Sequence, residues 1–178
     1  MNPKRIMTIG LAGGLFFCDT SRQIHIFLRV AANQYNRWTT MFIKIYDEIP
    51  QEAKAIRKSV FMKEQGFKYE FDETDHLAKH MLLFEDDIPV ATCRFFFSVE
   101  RDCYVIGRIA VSKEFRGKQY GEKMLQGAEK TVSDLGGKRV ELSAQCRVAE
   151  FYKKQGYMEL NDIHMDEDCP HTWMRKEV

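Results

Sequence analysis

The sequence predicts an α/β fold in which a sheet of mixed direction carries helices on both faces. Three observations point there. Two apolar, β-branched and aromatic runs at 81–84 and 88–97 flank the acidic turn Glu85-Asp86-Asp87 as a hairpin would. Strand-like and helix-like segments then alternate from residue 104 to residue 160. Among them, Leu125, Ala128, Val132 and Leu135 recur at three- and four-residue steps, the spacing of one helix face.

In chain order, Lys4 and Arg5 precede an apolar run over 6–17 that looks like the start of a secretory signal. The run is too short to span a bilayer, and no small-x-small cleavage site follows it. Ile24, Ile26, Leu28 and Val30 alternate weakly, which allows a stray strand. Residues 1–40 are read as an N-terminal extension outside the core domain, such as an early start codon would add, and 41–178 as the domain itself. Phe42-Ile-Lys-Ile-Tyr46 is its first strand. Pro50 opens a helix with Ala53, Ile56, Val60 and Phe61 on the apolar face and Arg57 and Lys58 on the wet one, and Gly66 stops it. A polar loop carries Tyr69, Glu70, Asp72, Glu73, Asp75 and His76 ahead of the hairpin. The central strand spans 104–111, and its following helix closes at Gly136-Gly137. A strand at 139–144, a short helix at 147–155 capped by Gly156, a strand at 157–160 and a last one at 171–174 complete the chain.

Between the central strand and its helix lies a basic loop. Helix N-termini offer backbone N–H groups without intrahelical partners and the positive end of the dipole. Arg116 and Lys118 add charge there, and Gly117 and Gly121 let the backbone approach a bulky phosphate, so the loop reads as a pyrophosphate site. Arg116-Gly-Lys-Gln-Tyr-Gly121, preceded by Ile109-Ala-Val111, resembles the Arg/Gln-x-x-Gly-x-Gly/Ala signature of the GNAT superfamily of acyl-CoA-dependent N-acyltransferases, with Gln119 where the family usually has glycine. Val60-Phe-Met-Lys-Glu-Gln65, Asp72-Glu-Thr-Asp75, His80 and His171-Thr-Trp-Met174 look like landmarks of its ElaA-like branch. Glu141-Leu-Ser-Ala-Gln145 with Ala149-Glu-Phe-Tyr-Lys-Lys-Gln-Gly-Tyr157 resembles the second cofactor segment. The resemblance implies a mixed, mostly antiparallel sheet splayed between its two central strands. It also implies acetyl-CoA as co-substrate, held by Ile109, Ala110, Val111, residues 116–121 (Arg116, Gly117, Lys118, Gln119, Tyr120, Gly121) and Gln145.

Composition narrows the partners. With 178 residues there is room for one substantial core. Lys and Arg total 27 against 26 Asp and Glu, a net charge of +1, so no global basic field favours nucleic acid or an acidic membrane. The expected partner is a small-molecule or peptide amine, with a homodimer left open. Cys18, Cys93, Cys103, Cys146 and Cys169 form no C-x-x-C pair and read as reduced intracellular thiols, Cys146 as a small hydrophobe. The implied enzyme is cytoplasmic, where acyl-CoA is supplied.

Acetyl transfer to an amine needs the thioester carbonyl polarised, the amine deprotonated and the leaving thiolate protonated. Gly107 within the central strand suggests a bulge or a close backbone approach, and the resemblance places an oxyanion-binding N–H near Ile109. Tyr152 is the candidate general acid: the family places this hydroxyl near the sulfur, and a phenol of pKa ~10 can protonate a thiolate of pKa ~8.5. For the base, Glu64 stands first among Glu64, Asp72, Glu73, Asp75, His80 and His171, with His171 next. Arg94, His80 and His171 are candidate substrate-binding residues. Asp72, Asp75, His76 and His80 could instead suggest a metal, but H-E-x-x-H, a cysteine pair and calcium-loop spacing are all missing, and no metal is assigned. The alternative function is a non-catalytic acyl-CoA sensor or structural module.

Overall fold

Two aspartates set the hairpin between Lys79–Glu85 and Ile88–Ser98: Asp86 and Asp87 both take positive φ (49° and 66°), the mirror-image turn that matches strand twist. The computed structural model describes residues 14–18, 24–29 and 40–178, the first two stretches by backbone course alone. The strands are β1 (Gly14–Cys18), β2 (Ile24–Arg29), β3 (Thr40–Tyr46), β4 (Lys79–Glu85), β5 (Ile88–Ser98), β6 (Cys103–Val111), β7 (Arg139–Gln145), β8 (Met158–Asp166) and β9 (Cys169–Glu177). They form one sheet in the order β1-β2-β3-β4-β5-β6-β7-β9-β8. Every neighbouring pair is antiparallel except β6 and β7. The early apolar run lies outside the described residues up to residue 13, and its remainder falls in β1. β1 and β2 extend the sheet from β3, at the edge away from the β6–β7 junction.

Because side chains alternate along a strand, neighbouring residues feed two cores. Phe42, Leu82, Phe84 and Ala110 face helix α1 (Gln51–Arg57) and bury Ala53 and Ile56, together with Val60 beyond it. Ile43, Met81, Leu83, Cys93 and Ile106 face the other way, against Met124, Leu125, Ala128 and Val132 of helix α2 (Tyr120–Asp134). Gly127 lets α2 settle close: a Cβ there would come within 2.4 Å of Ile43 Cδ1. Helix α3 (Ala149–Lys154) packs on this second core through Ala149, Phe151 and Tyr152. Helices therefore cover both faces, as expected.

Three local departures have physical reasons. The helix begun at Pro50 widens into π-helical turns over Lys58–Glu64, a distortion that recurs at functional sites. Arg57 is buried, at 1% exposure, because it sits four residues after Ala53 on the apolar stripe and finds carboxylates there. β8 runs on to Asp166 because Asn161, at φ 54°, absorbs a register shift between Glu159 and Ile163 and the strand then resumes. The sequence reading ends this strand at residue 160.

Candidate active site

The parallel pair β6–β7 holds together at only two positions, Tyr104↔Val140 and Val105↔Glu141. Past them the strands part, so residues 106–111 have no ladder partner on that side. β7 remains fully paired to β9 along its other edge, and β6 to β5 on its own. A bulge on β6 accompanies the parting. Thr92 opposes Ala110 and Arg94 opposes Gly107, so Arg108 and Ile109 both face Cys93. The left-handed residue is Arg108, at φ 52°, one position after the glycine where the bend was expected. Gly107 has no positive φ, and a Cβ on it would meet nothing within 4 Å; it lines the cleft as open floor.

A cleft of about 490 Å³ fills the gap. Its walls come from 106–111 of β6, from Leu142, Ser143 and Gln145 of β7, and from Val60, Phe61 and Gln65 near the π-helical turns. Phe151 and Tyr152 of α3 and His171 of β9 complete it. Ile109, Ala110, Val111, Arg116, Gly121 and Gln145 thus stand together around the cleft.

At one end the basic loop leads into α2. Gly117 has φ 80° and Gln119 φ 62°, ψ 17°, and no side chain caps the helix that starts at Tyr120. Its first N–H groups and the dipole's positive end therefore face outward with no intrahelical acceptor. Gln119 takes the glycine-like conformation itself, at a strain of about 1 kcal/mol, and its exposed side chain leaves the turn open. Arg116 Nη1 and Nη2 fork onto Glu64 at 2.9 Å each, and Nε donates to the Val111 carbonyl at 3.2 Å. Lys118 Nζ lies 3.4 Å from Glu85, which also accepts from the Tyr120 hydroxyl. Tyr120 is buried, and burial followed by the Glu85 contact pushes its phenol up, so it offers a ligand only its backbone N–H. A Cβ on Gly121 would stand 3.6 Å from Phe151 and 3.7 Å from Val111, narrowing the passage into the cleft.

Deeper in, the Tyr152 ring packs on Phe151 and Tyr157, with centroids 5.0 and 5.9 Å apart. Burial, with a smaller contribution from Cys93, pushes its hydroxyl up to about 12. It is a proton donor at any physiological pH. His171 Nδ1 lies 2.9 Å from the Cys169 carbonyl oxygen. Because a carbonyl only accepts, Nδ1 carries the proton. Arg147 Nε donates to Gln145 and Gln145 Nε2 to Gln65, both at 2.8 Å, a chain that orients the two amides beside the cleft.

The remaining candidates go elsewhere. Arg94 does not face the cleft. It is buried, with Nη1 2.6 Å from Asp72 and 2.8 Å from Asp75. Arg57 joins the same cluster through Glu70 at 2.6 Å and Asp75 at 2.7 Å, and Arg108 through Asp72 at 3.1 Å and Glu70 at 3.3 Å. Burial opposes ionisation of Asp75, yet bonds from Arg57 and Arg94 hold its carboxyl well below the usual range. His80, also buried, sets Nε2 2.9 Å from the Asp75 carbonyl, and burial lowers its affinity for a proton. Three guanidinium groups and three carboxylates thus tie the 70–75 loop to α1 and to the β6 bulge. Arg94 and His80 belong to this tie and not to a substrate wall. Asp72 and Asp75 are committed to arginines as well; among the described residues no cluster of His, Cys, Asp and Glu is arranged to hold a metal. Glu64 is bound to Arg116 at the loop and does not line the cleft, which removes the geometric ground for a general base there. Cys146 is half-buried and free. Arg108 and Ser143 line the cleft without having been singled out from the sequence.

A sheet opened on one side of its central strand, an uncapped basic loop at the opening and a phenol within suit an acyltransferase of the α/β class. The chain belongs to the GNAT acetyltransferase family: the family model, Acetyltransferase (GNAT) family, matches residues 41–157. It is 32% identical to protein YyaT of Bacillus subtilis (strain 168) over 132 residues, covering 71% of this chain and 88% of YyaT. It is 30% identical to protein ElaA of Escherichia coli (strain K12) over 128 residues, 69% of this chain and 84% of ElaA. The Escherichia coli ElaA crystal structure superposes with a TM-score of 0.66 at 26% identity, over 76% of this chain and 99% of that one. An acyl-CoA N-acyltransferase from Pseudomonas aeruginosa gives 0.67 at 25% identity, over 78% and 99%. The ElaA-like resemblance and the mixed, mostly antiparallel fold therefore stand. No helix among the described residues is long and apolar enough to cross a membrane.

Proposed function

We propose that this protein is an acetyl-CoA-dependent N-acetyltransferase that passes the acetyl group directly to a primary amine within a ternary complex. The carrying observation is the parting of β6 from β7 beside the uncapped loop. Unpaired backbone of residues 106–111 suits the amide-bearing pantetheine arm as a surrogate strand, and the free N–H groups of 117–121 suit a diphosphate. Arg116 and Lys118 meet the same diphosphate once released from Glu64 and Glu85. The residues fit the group, which supplies an activated acetyl thioester when bound.

The Ile109 N–H, within the bulge, donates to the carbonyl oxygen as negative charge develops there. Tyr152 donates its proton to the departing sulfur. Of the three protons on an entering ammonium, one stays on the amide, one restores the Tyr152 phenol and one leaves to solvent. The Arg57–Glu70–Arg108 tie fixes the bulge and with it the oxyanion donor. Residues 41–178 form the catalytic unit, with 1–40 outside it, and the cytoplasm is the compartment that supplies acyl-CoA.

A second reading, a sensor that binds acyl-CoA without turnover, is tested together with the first. Protein is incubated with acetyl-CoA and a panel of a diamine, a lysyl peptide and an amino-acid amide, and acetylated product is followed by mass and by free thiol. Product with matching CoA release supports transfer; tight acetyl-CoA binding with neither supports the sensor.

A further inference from the structure

We propose that His171 is the general base of this reaction, its Nε2 taking the proton from the entering ammonium. The inference rests on the acetyl-transfer reading and adds the residue that reading lacks. Deprotonating the amine requires a group at the cleft that can accept a proton near neutral pH, and the lining residues permit elimination. Among the described residues the cleft is lined by no carboxylate at all. Its titratable side chains are Arg108, Arg116, Arg147, Tyr152 and His171. A guanidinium offers donors and no acceptor, and burial keeps the Tyr152 phenol protonated, which leaves the imidazole as the proton acceptor.

The geometry suits the task. The Nδ1–H bond to the Cys169 carbonyl fixes the tautomer, so the lone pair lies on Nε2, the nitrogen not engaged by the backbone. β9 places His171 directly opposite Gln145 of β7, and both line the cleft with Ser143 and Tyr152. His171 is 6% exposed, so the ring is held in place by packing. The groups facing it are His164 on β8, with ring centroids 5.9 Å apart, Arg108 on β6 and Arg147 before α3. Glu70 and Asp166 share with it a small side cavity of about 30 Å³. The step balances: the N–H bond of the ammonium breaks, its electron pair stays on nitrogen and attacks the acetyl carbon, and the proton passes from Nε2 to solvent.

The test compares wild type with His171→Asn, which keeps an N–H donor near the Nδ1 position, and with His171→Ala, across pH. Acetyl-CoA and whichever amine of the panel the wild type acetylates are the substrates. Expected are an acid limb in wild-type kcat/KM, its loss in both variants, a fall of 10²-fold or more at neutral pH, unchanged acetyl-CoA affinity, and partial rescue of His171→Ala by added imidazole. A His171→Asn profile that keeps the wild-type acid limb, or a loss wholly in KM for the amine, overturns the assignment and leaves the transferase reading intact. If the wild type binds acetyl-CoA yet acetylates no amine, the transferase reading falls and this assignment with it.

Discussion

Replacing Tyr152 with phenylalanine deletes a single hydroxyl and separates folding from chemistry. The ring contacts to Phe151 and Tyr157, at 5.0 and 5.9 Å, remain. Among the described residues the hydroxyl makes no hydrogen bond within the protein, so stability should change by less than about 1 kcal/mol. The catalytic cost is larger. With the phenol at about 12 and a thiol near 8.5, full proton transfer is uphill by roughly 3.5 units, or about 5 kcal/mol. In the proposed mechanism the proton would therefore move as the carbon–sulfur bond opens and not before it, and its worth would fall toward the low end of general-acid effects, about 10²-fold or ~2.7 kcal/mol. Steady-state kinetics should show kcat lowered about 100-fold with KM for acetyl-CoA nearly unchanged and a melting midpoint within about 3 °C of wild type. A kcat within threefold of wild type would refute the role of the phenol.

Other perturbations read the scaffold. Arg57→Met removes a guanidinium that bonds Glu70 and Asp75 at 1% exposure, and should cost about 3–5 kcal/mol, lowering the melting midpoint by about 6–20 °C; Lys79→Met, at an exposed pair with Asp47, should cost under about 1 kcal/mol. Equal shifts in the two variants would contradict the buried tie. Gln119→Gly relieves left-handed strain of about 1 kcal/mol but frees the unfolded chain by a similar amount, so denaturant midpoints should hardly move, and a loss above about 2 kcal/mol would show that the glutamine side chain stabilises the loop. His80 binds its proton less readily folded than unfolded, so its contribution is fully present above pH 6.5 and is lost as pH falls below that. Chemical denaturation between pH 7.5 and 5 should show stability dropping by up to about 1.4 kcal/mol per pH unit from this site, and His80→Gln should flatten the slope. An identical slope in the variant would remove His80 as the cause.

How much of this was legible follows from which interactions are local. The loop at 116–121 and the helix behind it announce themselves because glycine, charge and helical spacing are properties of neighbouring residues. Val140, Leu142 and Ala144 likewise reveal a strand by alternation. Arg57 reads from the sequence as solvated because it is charged, although its position four residues after Ala53 lies on the apolar stripe; Glu70 and Asp75 from a distant loop neutralise it. Arg94 and His80 were drawn toward the substrate for the same reason, since a charged residue in an apolar strand can serve a cleft or a buried ion cluster and only tertiary contacts decide. The bulge was foreseen from Gly107, but its left-handed residue is Arg108, whose conformation is maintained by ion pairs with Glu70 and Asp72. Glu64 sits in a helix-end segment whose motif drew attention, while its pairing with Arg116 spans 52 residues and leaves no trace in local pattern.

The most direct test of the opened sheet and its anion loop is calorimetric titration with two ligands, acetyl-CoA and acetyl-pantetheine, the second lacking the diphosphate. Both carry the thioester arm that residues 106–111 would receive. The expected result is that acetyl-CoA binds at least 100-fold more tightly and that Arg116→Ala narrows the difference. Equal affinities for the two, or no binding of either, would contradict the assignment of this loop and cleft.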